Sequence, residues 1–391
     1  MGYPQPIGMN PRERCPFGAF SDVPVRSVGV EEEFLLVDPQ SCVPRAVAST
    51  VLRAGADLDA DLTAELQAEQ VETGTSPHTD LDDIADDIVA RRREATTAAR
   101  RAGAAAVPLA TCPVPVDPHL TDGPRYAEMA LRFGRTTDEQ LTCGCHVHVA
   151  VTSEDEAVGV VDRVQPWLAV LLALSVNSPF WAAADTGYCS YRSQVQVRWP
   201  SAGPTDPFGS AADYRRITEE LLRTGTLLDR GMLYFDARPS HHHPTVEVRV
   251  GDVCRDPRDT LLLAALTRGL VETAAREWAS ERPVAPVRIE MLRLASWRAG
   301  RSGIDDTLLL PHDWRPAPAG VVVDALIDHV APALTDAGDL VAVRGLWHDL
   351  RRRRPGAHHQ RHAYREGGLR GVVRDAVTAA EDLVDDAPTV I

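Results

Sequence analysis

Three short segments of the chain alternate apolar and ionisable residues at a period of two, which is the spacing of a β-strand with one buried face. Each segment presents apolar residues to a core and a pair of ionisable side chains to the opposite side. The segments are GVEEEF at residues 29–34, CHVHV at 145–149 and TVEVRV at 245–250. Their ionisable pairs are Glu31 with Glu33, His146 with His148, and Glu247 with Arg249. Because antiparallel sheets commonly keep one face on a core and leave the other open, the pattern predicts antiparallel pairing.

Helical periodicity occupies most of the remaining chain. It predicts helices over residues 80–106, 159–176, 211–228, 257–280, 321–330 and 336–352. We expect Thr79 or Asp80 to cap the first helix. Pro166 should interrupt the second, and Pro332 should end the fifth. Further strands are predicted over residues 27–37, 70–73, 107–112 and 142–151, with two more over 232–250 divided by Arg238-Pro239. Strands that alternate irregularly with helices predict an α+β fold, in which helices cover one face of the sheet.

The composition bounds the class of protein. The 391 residues include 56 acidic and 41 basic side chains, a net charge of −15, which argues against binding along a nucleic-acid backbone. The seven cysteines follow no disulfide or zinc-ribbon spacing, and residues 1–20 lack the apolar region of a signal peptide. The most apolar run, residues 167–176, is too short to cross a bilayer. We therefore expect a soluble, cytoplasmic protein that binds neither nucleic acid nor membranes, with residues 1–24 as an irregular arm.

Taken together, the ionisable pairs on the three strands predict that one face of the sheet binds metal ions. Carboxylate and imidazole ligands without thiolates suit Mg²⁺ or Mn²⁺. Glu72, on a further predicted strand, would add another carboxylate. Glu32 faces the apolar side if its strand is regular, and we interpret it as structural. The chain has no Gly-x-x-x-x-Gly-Lys loop, so arginines and metal ions would have to hold any phosphate.

Other interpretations of the same segments are open. Each pair taken alone is compatible with a solvated face or a surface ion pair. The two histidines with Glu247 could hold iron or another transition metal in an oxygenase or hydrolase. Cys143 and Cys145 beside the histidines could bind a soft metal, although no second thiol pair follows at zinc spacing. A binding protein without catalytic activity could carry the same residues, and we assign no role to the His241–His243 run.

Five segments are specific as a set. They are GVEEEF at 29–34, QVETGT at 70–75, CGCHVHV at 143–149, SPFWAAADTGYCSYRSQVQVRWP at 178–200 and FDARPSHHHPTVEVRVGD at 235–252. Together they resemble the glutamate–cysteine ligase type 2 family, also called carboxylate–amine ligases. The resemblance implies a fold like the catalytic domain of glutamine synthetase, an antiparallel β-sheet funnel flanked by helices. We expect one such domain over residues 25–391, with a helical C-terminal third that matches best at GAHHQR, residues 356–361.

The resemblance implies an ATP-dependent ligase with weak glutamate–cysteine ligase activity. Glutamate or a similar carboxylate would attack the γ-phosphate of ATP and give an acyl phosphate. Cysteine or another amine would then displace phosphate and form an amide, with Mg²⁺ or Mn²⁺ as the required cation. The alternative is an ATP-independent oxygenase or hydrolase that uses the His-x-His plus Glu site. A homodimer is compatible with the resemblance.

The resemblance also implies roles for individual residues. Glu31, His146 and Glu247 would hold one divalent ion. A second ion would be held by Glu33 and Glu72, together with Glu65 or Glu69. His148 and Arg238 would contact the phosphates of ATP. Arg249 and Arg192 would face the transferring phosphoryl group or the substrate carboxylate.

Overall fold

A seven-stranded sheet lies at the centre of the computed structural model, which describes residues 25–385. The predicted arm over residues 1–24 lies outside the described residues. The strands of the chain are β1 Val28–Val37, β2 Leu62–Ala64, β3 Gln70–Gly74, β4 Ala105–Val107, β5 Gly144–Ala150, β6 Phe180–Trp181, β7 Ala184–Asp185, β8 Ala237–Pro239, β9 Thr245–Asp252, β10 Thr307–Leu309 and β11 Pro316–Pro318. The main sheet has the order β2-β3-β1-β5-β9-β8, with β4 on the end of β1, and its described pairings are antiparallel as predicted. Two small hairpins, β6–β7 and β10–β11, stand apart from it.

Helices make up most of the rest of the chain. They are α1 Ala48–Ala56, α2 Leu81–Arg101, α3 Pro124–Phe133, α4 Arg135–Asp138, α5 Glu154–Val164, α6 Leu168–Ser175, α7 Arg192–Gln196, α8 Ala211–Arg223, α9 Pro257–Ala279, α10 Ile289–Ser302, α11 Ala319–Ala337, α12 Leu340–Arg353 and α13 Gly356–Asp385. Short 3₁₀ turns occupy Gln165–Trp167 and Arg230–Met232. The first of these turns contains Pro166 and separates α5 from α6, as the sequence predicts.

The valines of the alternating strands form the inner layer of the core. Six of them, two each from β1, β5 and β9, are no more than 4% exposed: Val28, Val30, Val147, Val149, Val246 and Val248. Helices α2, α5, α6 and α9 pack on this face of the sheet. Full burial of a valine stabilises a fold by roughly 1.5–3 kcal/mol. The six buried valines therefore strongly favour the predicted orientation of these strands, in which the apolar side chains face the core and the ionisable side chains lie on the opposite face. The opposite face, which we call the polar face, carries the ionisable pairs.

The region after α2 differs from the prediction. Asp80 caps this helix, because its side chain accepts a hydrogen bond from the backbone N–H of Asp82 at 2.8 Å, as expected. The helix ends at Arg101, however, and Gly103 follows with a φ of +68° that breaks the helical path. The chain then pairs with the end of β1 as β4, so the predicted helix to residue 106 and the predicted strand over 107–112 are both misplaced.

Two prolines behave differently from their sequence interpretation. Helix α11 continues through Pro332 to Ala337, because Pro332 and Asp328 lie on its exposed side, where water can satisfy the carbonyl that proline cannot bond. Arg238-Pro239 lies inside β8 rather than between two strands. β8 is at the edge of the sheet, and an edge strand tolerates a missing N–H.

The helical stretch Glu154–Ser175 is long and apolar enough to cross a membrane by length and composition. It is longer than the apolar run at residues 167–176, because α5 and α6 follow each other almost without interruption. In the fold, 78% of its most apolar 18-residue window is buried inside the protein. This is the burial of a core helix in a globular fold.

Candidate active site

The register of the strands lines up the predicted ionisable residues across the polar face. Glu31 on β1 lies directly opposite His146 on β5, and His148 lies opposite Glu247 on β9. On the other side of β1, Glu33 lies opposite Glu72 on β3. Because these residues are cross-strand neighbours, their side chains converge on one region without any contribution from a distant loop.

A β-bulge disturbs this row at the point where chemistry is expected. Between the pairs Cys145–Gly251 and Val147–Val248, β9 has one more residue than β5, so that Arg249 and Val250 both lie opposite His146. A bulge re-aims side chains, and such irregularities occur next to active sites. Here Arg249 lines the cavity above the polar face together with Glu31, Glu247 and the histidines.

The first candidate metal cluster consists of Glu31, His146 and Glu247. One ligand atom from each of them lies within 4.8 Å of the others. His146 Nδ1 is 3.3 Å from Glu31 Oε2. Burial raises the pKa of Glu31, but the hydrogen bonds from His146 and His148 outweigh it and lower this pKa overall. Burial also raises the pKa of Glu247, and Arg249 and Arg238 outweigh it. Both side chains are therefore ionised at neutral pH.

His146 is suited to coordinate a cation. Burial lowers its pKa, and the neighbouring Arg249 lowers it further. The imidazole is therefore neutral at physiological pH and keeps a lone pair, which a metal ligand requires. Two carboxylates and one neutral imidazole form a donor set that fits Mg²⁺ or Mn²⁺.

A second candidate cluster lies on the other side of His146. Glu33, Glu72 and His146 each offer a ligand atom within 4.8 Å of the others, and His146 Nε2 is 3.9 Å from Glu33 Oε1. Burial, and then the charge of Glu65, raises the pKa of Glu72 well above its ordinary value. Burial, followed by the charge of Glu33, raises the pKa of Glu65 to about 8. These carboxyl groups repel one another, and a divalent cation between them would remove that repulsion.

Glu65 and Glu69, which the sequence leaves as alternatives, face different surroundings. Glu65 lines the cavity with Glu33 and Glu72. Glu69 is turned away, since its Oε1 is 2.7 Å from His119 Nδ1 and its Oε2 accepts a hydrogen bond from the His119 backbone. Of these two glutamates, only Glu65 therefore lines the cavity beside the second cluster.

The remaining predicted residues border the two clusters. His148 Nε2 lies 3.2 Å from Glu31 Oε1, and Glu31 raises the pKa of His148 against the effect of burial. Arg238 Nε donates to Glu247 Oε2 at 2.7 Å, and Arg249 pairs with the same carboxylate. All of them line a cavity of roughly 700 Å³ over the polar face.

Arg192 lies at one end of this arrangement and is almost fully buried. Its guanidinium is 3.4 Å from the carbonyl oxygens of Arg249 and Val250. Its Nε has no hydrogen-bond partner within residues 25–385. A cavity of roughly 230 Å³ joins Arg192 to Glu33, Glu65 and His146. The Nε–H of Arg192 is therefore the part of the guanidinium that could still donate to an anionic ligand.

Three side chains near the predicted ligands are buried away from the cavity: those of Glu32, Cys143 and Cys145. Glu32 Oε1 is 2.6 Å from Arg92 Nη2 and points away from the cavity. Cys145 belongs to the hydrophobic core, and burial raises the pKa of both Cys143 and Cys145 well above the ordinary thiol value. Within residues 25–385, neither thiol belongs to a candidate ligand cluster, so a soft-metal site at Cys143 and Cys145 is not supported.

Sequence reasoning missed several residues that line the cavity. The His241–His243 run forms the loop between β8 and β9 and borders the first cluster. The position of this run between two strands that carry Arg238 and Glu247 was the available signal. Arg125 and Tyr126 on α3 and Tyr234 also reach the site, but their distance in sequence from the strands gives no pattern to detect.

Comparison with solved structures identifies the fold. The fold matches a glutamate–cysteine ligase of Francisella tularensis in complex with AMP, with a TM-score of 0.64 over 92% of this chain and 89% of that chain. It also matches a bifunctional glutathione synthetase of Pasteurella multocida, with a TM-score of 0.65 over 92% of this chain and 52% of that chain. Sequence identities of 13% and 14% mean that these matches show the fold alone. The chain shares the fold of these two enzymes, and the predicted α+β class, with its glutamine-synthetase-like antiparallel sheet, is confirmed.

The sequence comparisons identify the family. Residues 27–379 match the sequence model of glutamate-cysteine ligase family 2. A candidate glutamate–cysteine ligase 2 of Frankia alni is 50% identical over 369 residues, which cover 90% of this chain and 95% of the relative. A second candidate, from Streptomyces avermitilis, is 48% identical over 357 residues, covering 90% and 99%. The chain belongs to the glutamate–cysteine ligase family 2, and the resemblance seen in the sequence is confirmed.

Proposed function

We propose that this protein is an ATP-dependent carboxylate–amine ligase that uses glutamate or a similar acid and has weak glutamate–cysteine ligase activity. The observation that carries the proposal is the pair of ligand clusters that share His146 on the polar face. Family membership and the nucleotide bound to the Francisella tularensis ligase, whose fold is similar, support the use of ATP. The same findings favour a ligase over an ATP-independent oxygenase or hydrolase.

Two divalent cations, Mg²⁺ or Mn²⁺, fit the donor sets. Glu31, His146 and Glu247 would hold one, and Glu33, Glu72 and Glu65 would hold the other. When bound, such ions neutralise the charge that develops on a transferring phosphoryl group. His148 and Arg238 stand where they could donate to the phosphates of ATP. A cavity of roughly 510 Å³ next to them, bordered by Gly29, Thr75 and Thr245, offers room for the nucleoside.

The reaction has two steps. A carboxylate oxygen of the substrate attacks the γ-phosphorus, a new O–P bond forms and ADP leaves. The amine nitrogen then attacks the acyl carbon, the C–N bond forms, phosphate leaves and the amine gives up one proton. Arg249 and Arg192 supply fixed positive charge for the substrate carboxylate and for the departing phosphate. Exclusion of water from the cavity during turnover would protect the acyl phosphate from hydrolysis.

The proposal extends to partners and location. We expect small-molecule substrates only, with no nucleic acid and no membrane among the partners, and a cytoplasmic enzyme; a homodimer is compatible with the family. The acidic composition argues against nucleic acid as a partner, and the burial of the apolar Glu154–Ser175 stretch argues against a membrane.

The test is the release of phosphate from ATP in the presence of glutamate, cysteine and Mg²⁺. We expect release that depends on all of these components and that falls about 10²–10³-fold in Glu31→Gln. Glu219→Gln is the matched control, because Glu219 is an exposed carboxylate on α8. Full activity of Glu31→Gln, or turnover with iron and without ATP, would contradict the proposal.

A further inference from the structure

A large second cavity adjoins the site, and its mouth is unusually apolar. It has a volume of roughly 760 Å³ and lies between α7, α10 and the bulge of β9. Its lining includes Val197, Leu294 and Trp297, which are 57%, 55% and 47% exposed and rank among the few large apolar side chains that the fold leaves in solvent. Isolated exposed apolar residues are common, but three that converge on one cavity indicate a binding surface.

The second cavity is continuous with the reaction site. It shares Arg192, Gln196, Tyr234 and Arg249 with the smaller cavity that contains Glu33, Glu65 and His146. A ligand in the second cavity can therefore place one end beside Arg192 and Arg249, while the rest lies against α10. This end of the polar face is the opposite one from the cavity at Gly29 and Thr245.

A carboxylate that accepts no hydrogen bond, that of Asp236, lies in the wall of the second cavity. The backbone of Asp236 is fixed, because its N–H donates to Gly203 and its carbonyl accepts from Arg249, at 3.0 Å and 2.9 Å. Within residues 25–385 its carboxylate accepts no hydrogen bond from a side chain or from the backbone, although the charge of Arg192 acts on it. A partly buried carboxylate without a hydrogen bond is suited to a ligand that donates one.

We propose that the second cavity binds the amine substrate and selects a primary amine that carries a bulky apolar substituent. The neutral amino group would donate a hydrogen bond to Asp236, and the substituent would lie against Val197, Leu294 and Trp297. This inference rests on the proposed ligase function. It assigns to the enzyme an acceptor much larger and more apolar than cysteine, whose small side chain would leave the mouth of the cavity empty.

The direct test compares amines at fixed glutamate, ATP and Mg²⁺. Amide formation is measured by mass spectrometry with 2-phenylethylamine, phenylalanine, ethylamine and cysteine as acceptors. We expect at least one of the two phenyl-bearing acceptors to exceed both small acceptors in kcat/KM by about tenfold or more, since apolar contacts discriminate on this scale. Equal or higher values for ethylamine and cysteine would overturn the inference.

Two variants test the apolar side chains that line the second cavity. Leu294→Ser and Trp297→Ala alter exposed side chains, so the fold should persist. We expect each to raise the KM for the preferred phenyl-bearing amine about tenfold while the KM for ATP stays unchanged. Leu131→Ser is the matched control, because Leu131 is 81% exposed and is not part of the second cavity. Variants that bind the amine as well as the parent protein would also overturn the inference.

Hydroxylamine separates this inference from the proposed function. It traps an acyl phosphate as a hydroxamate and needs no apolar pocket. Hydroxamate formation from glutamate and ATP, without any preference for phenyl-bearing amines, would refute the inference and leave the ligase function standing. Absence of hydroxamate and of phosphate release would refute both.

Discussion

The carboxylate of Glu32 lies 2.6 Å from the guanidinium of Arg92, and both side chains are buried on the face of β1 that points away from the active site. Arg92 also donates to the carbonyl oxygens of Cys254 and Arg255, and Thr260 donates to Glu32. This network connects β1, α2 and the start of α9. It therefore holds the strand that carries Glu31 and Glu33 from behind.

Removal of one partner from the buried pair of Glu32 and Arg92 should destabilise the fold. We expect Arg92→Met to lower the free energy of unfolding by about 3–5 kcal/mol, because it leaves the Glu32 charge buried without compensation. Chemical denaturation measures this change. Arg100→Met is the control, since Arg100 pairs with the exposed Asp385 and its loss should cost less than about 1 kcal/mol. Equal effects of the two substitutions would contradict the prediction.

The crowded carboxyl groups of the second cluster predict a pH dependence of stability. The folded-state pKa of Glu65, about 8, lies above its ordinary value of 4.5. The protonated carboxyl group of Glu65 therefore contributes stability that is fully present below pH 4.5. In the metal-free protein this contribution is lost as the pH rises through about 8. Mg²⁺ should raise the Tm by about 3 °C or more at pH 8 and by clearly less at pH 6, where protons compete with the cation. Differential scanning calorimetry with and without chelator checks this, and an equal Mg²⁺ effect at both values would contradict it.

Substitution can also decide between the two glutamates that precede β3. We expect Glu65→Gln to weaken Mg²⁺ or Mn²⁺ binding about 10- to 100-fold, because the second cluster loses a charge. Glu69→Gln should leave the affinity unchanged, since Glu69 is paired with His119 outside the cavity. Isothermal titration with Mn²⁺ measures both. A larger effect of the Glu69 substitution would reverse the assignment.

Gly144 allows Arg192 to approach the site. A Cβ at residue 144 would overlap Arg192 Nη2 and would lie 3.1 Å from His146 Nε2. Gly144→Ala should therefore displace the guanidinium and lower kcat about 10- to 100-fold, with a small change in Tm. Gly345→Ala is the control, because a Cβ on this α12 residue meets no atom within 4 Å. An unchanged kcat in Gly144→Ala would show that the position of Arg192 does not matter for turnover.

The sequence was sufficient to predict which strands carry the site and which face they bury. Alternation alone separates Glu31 and Glu33 from Glu32, and the burial of β1 follows that division. The register of the strands could not be predicted in this way, because it is set by pairing between segments that are far apart in the sequence. That Glu31 lies opposite His146, and that β9 has a bulge at Arg249, could not be derived from either segment alone.

The predictions at Pro332 and Pro239 were wrong because the outcome at both residues also depends on tertiary structure. Pro332 and Pro239 are tolerated because one lies on an exposed helix face and the other on an edge strand, and neither location is visible before the tertiary structure is known. Glu65 and Glu69 lie four residues apart in a segment without clear periodicity. Only the fold shows that one points into the cavity and the other toward His119.

The position of His146 between the two clusters has a consequence for how cations load. A neutral imidazole has a proton on one nitrogen and a free lone pair on the other. His146 faces Glu31 with Nδ1 and Glu33 with Nε2, so it can coordinate a cation in only one of the two clusters at a time. The first cation to bind would therefore fix the tautomer of this ring, and a cation in the other cluster would be held by carboxylates alone.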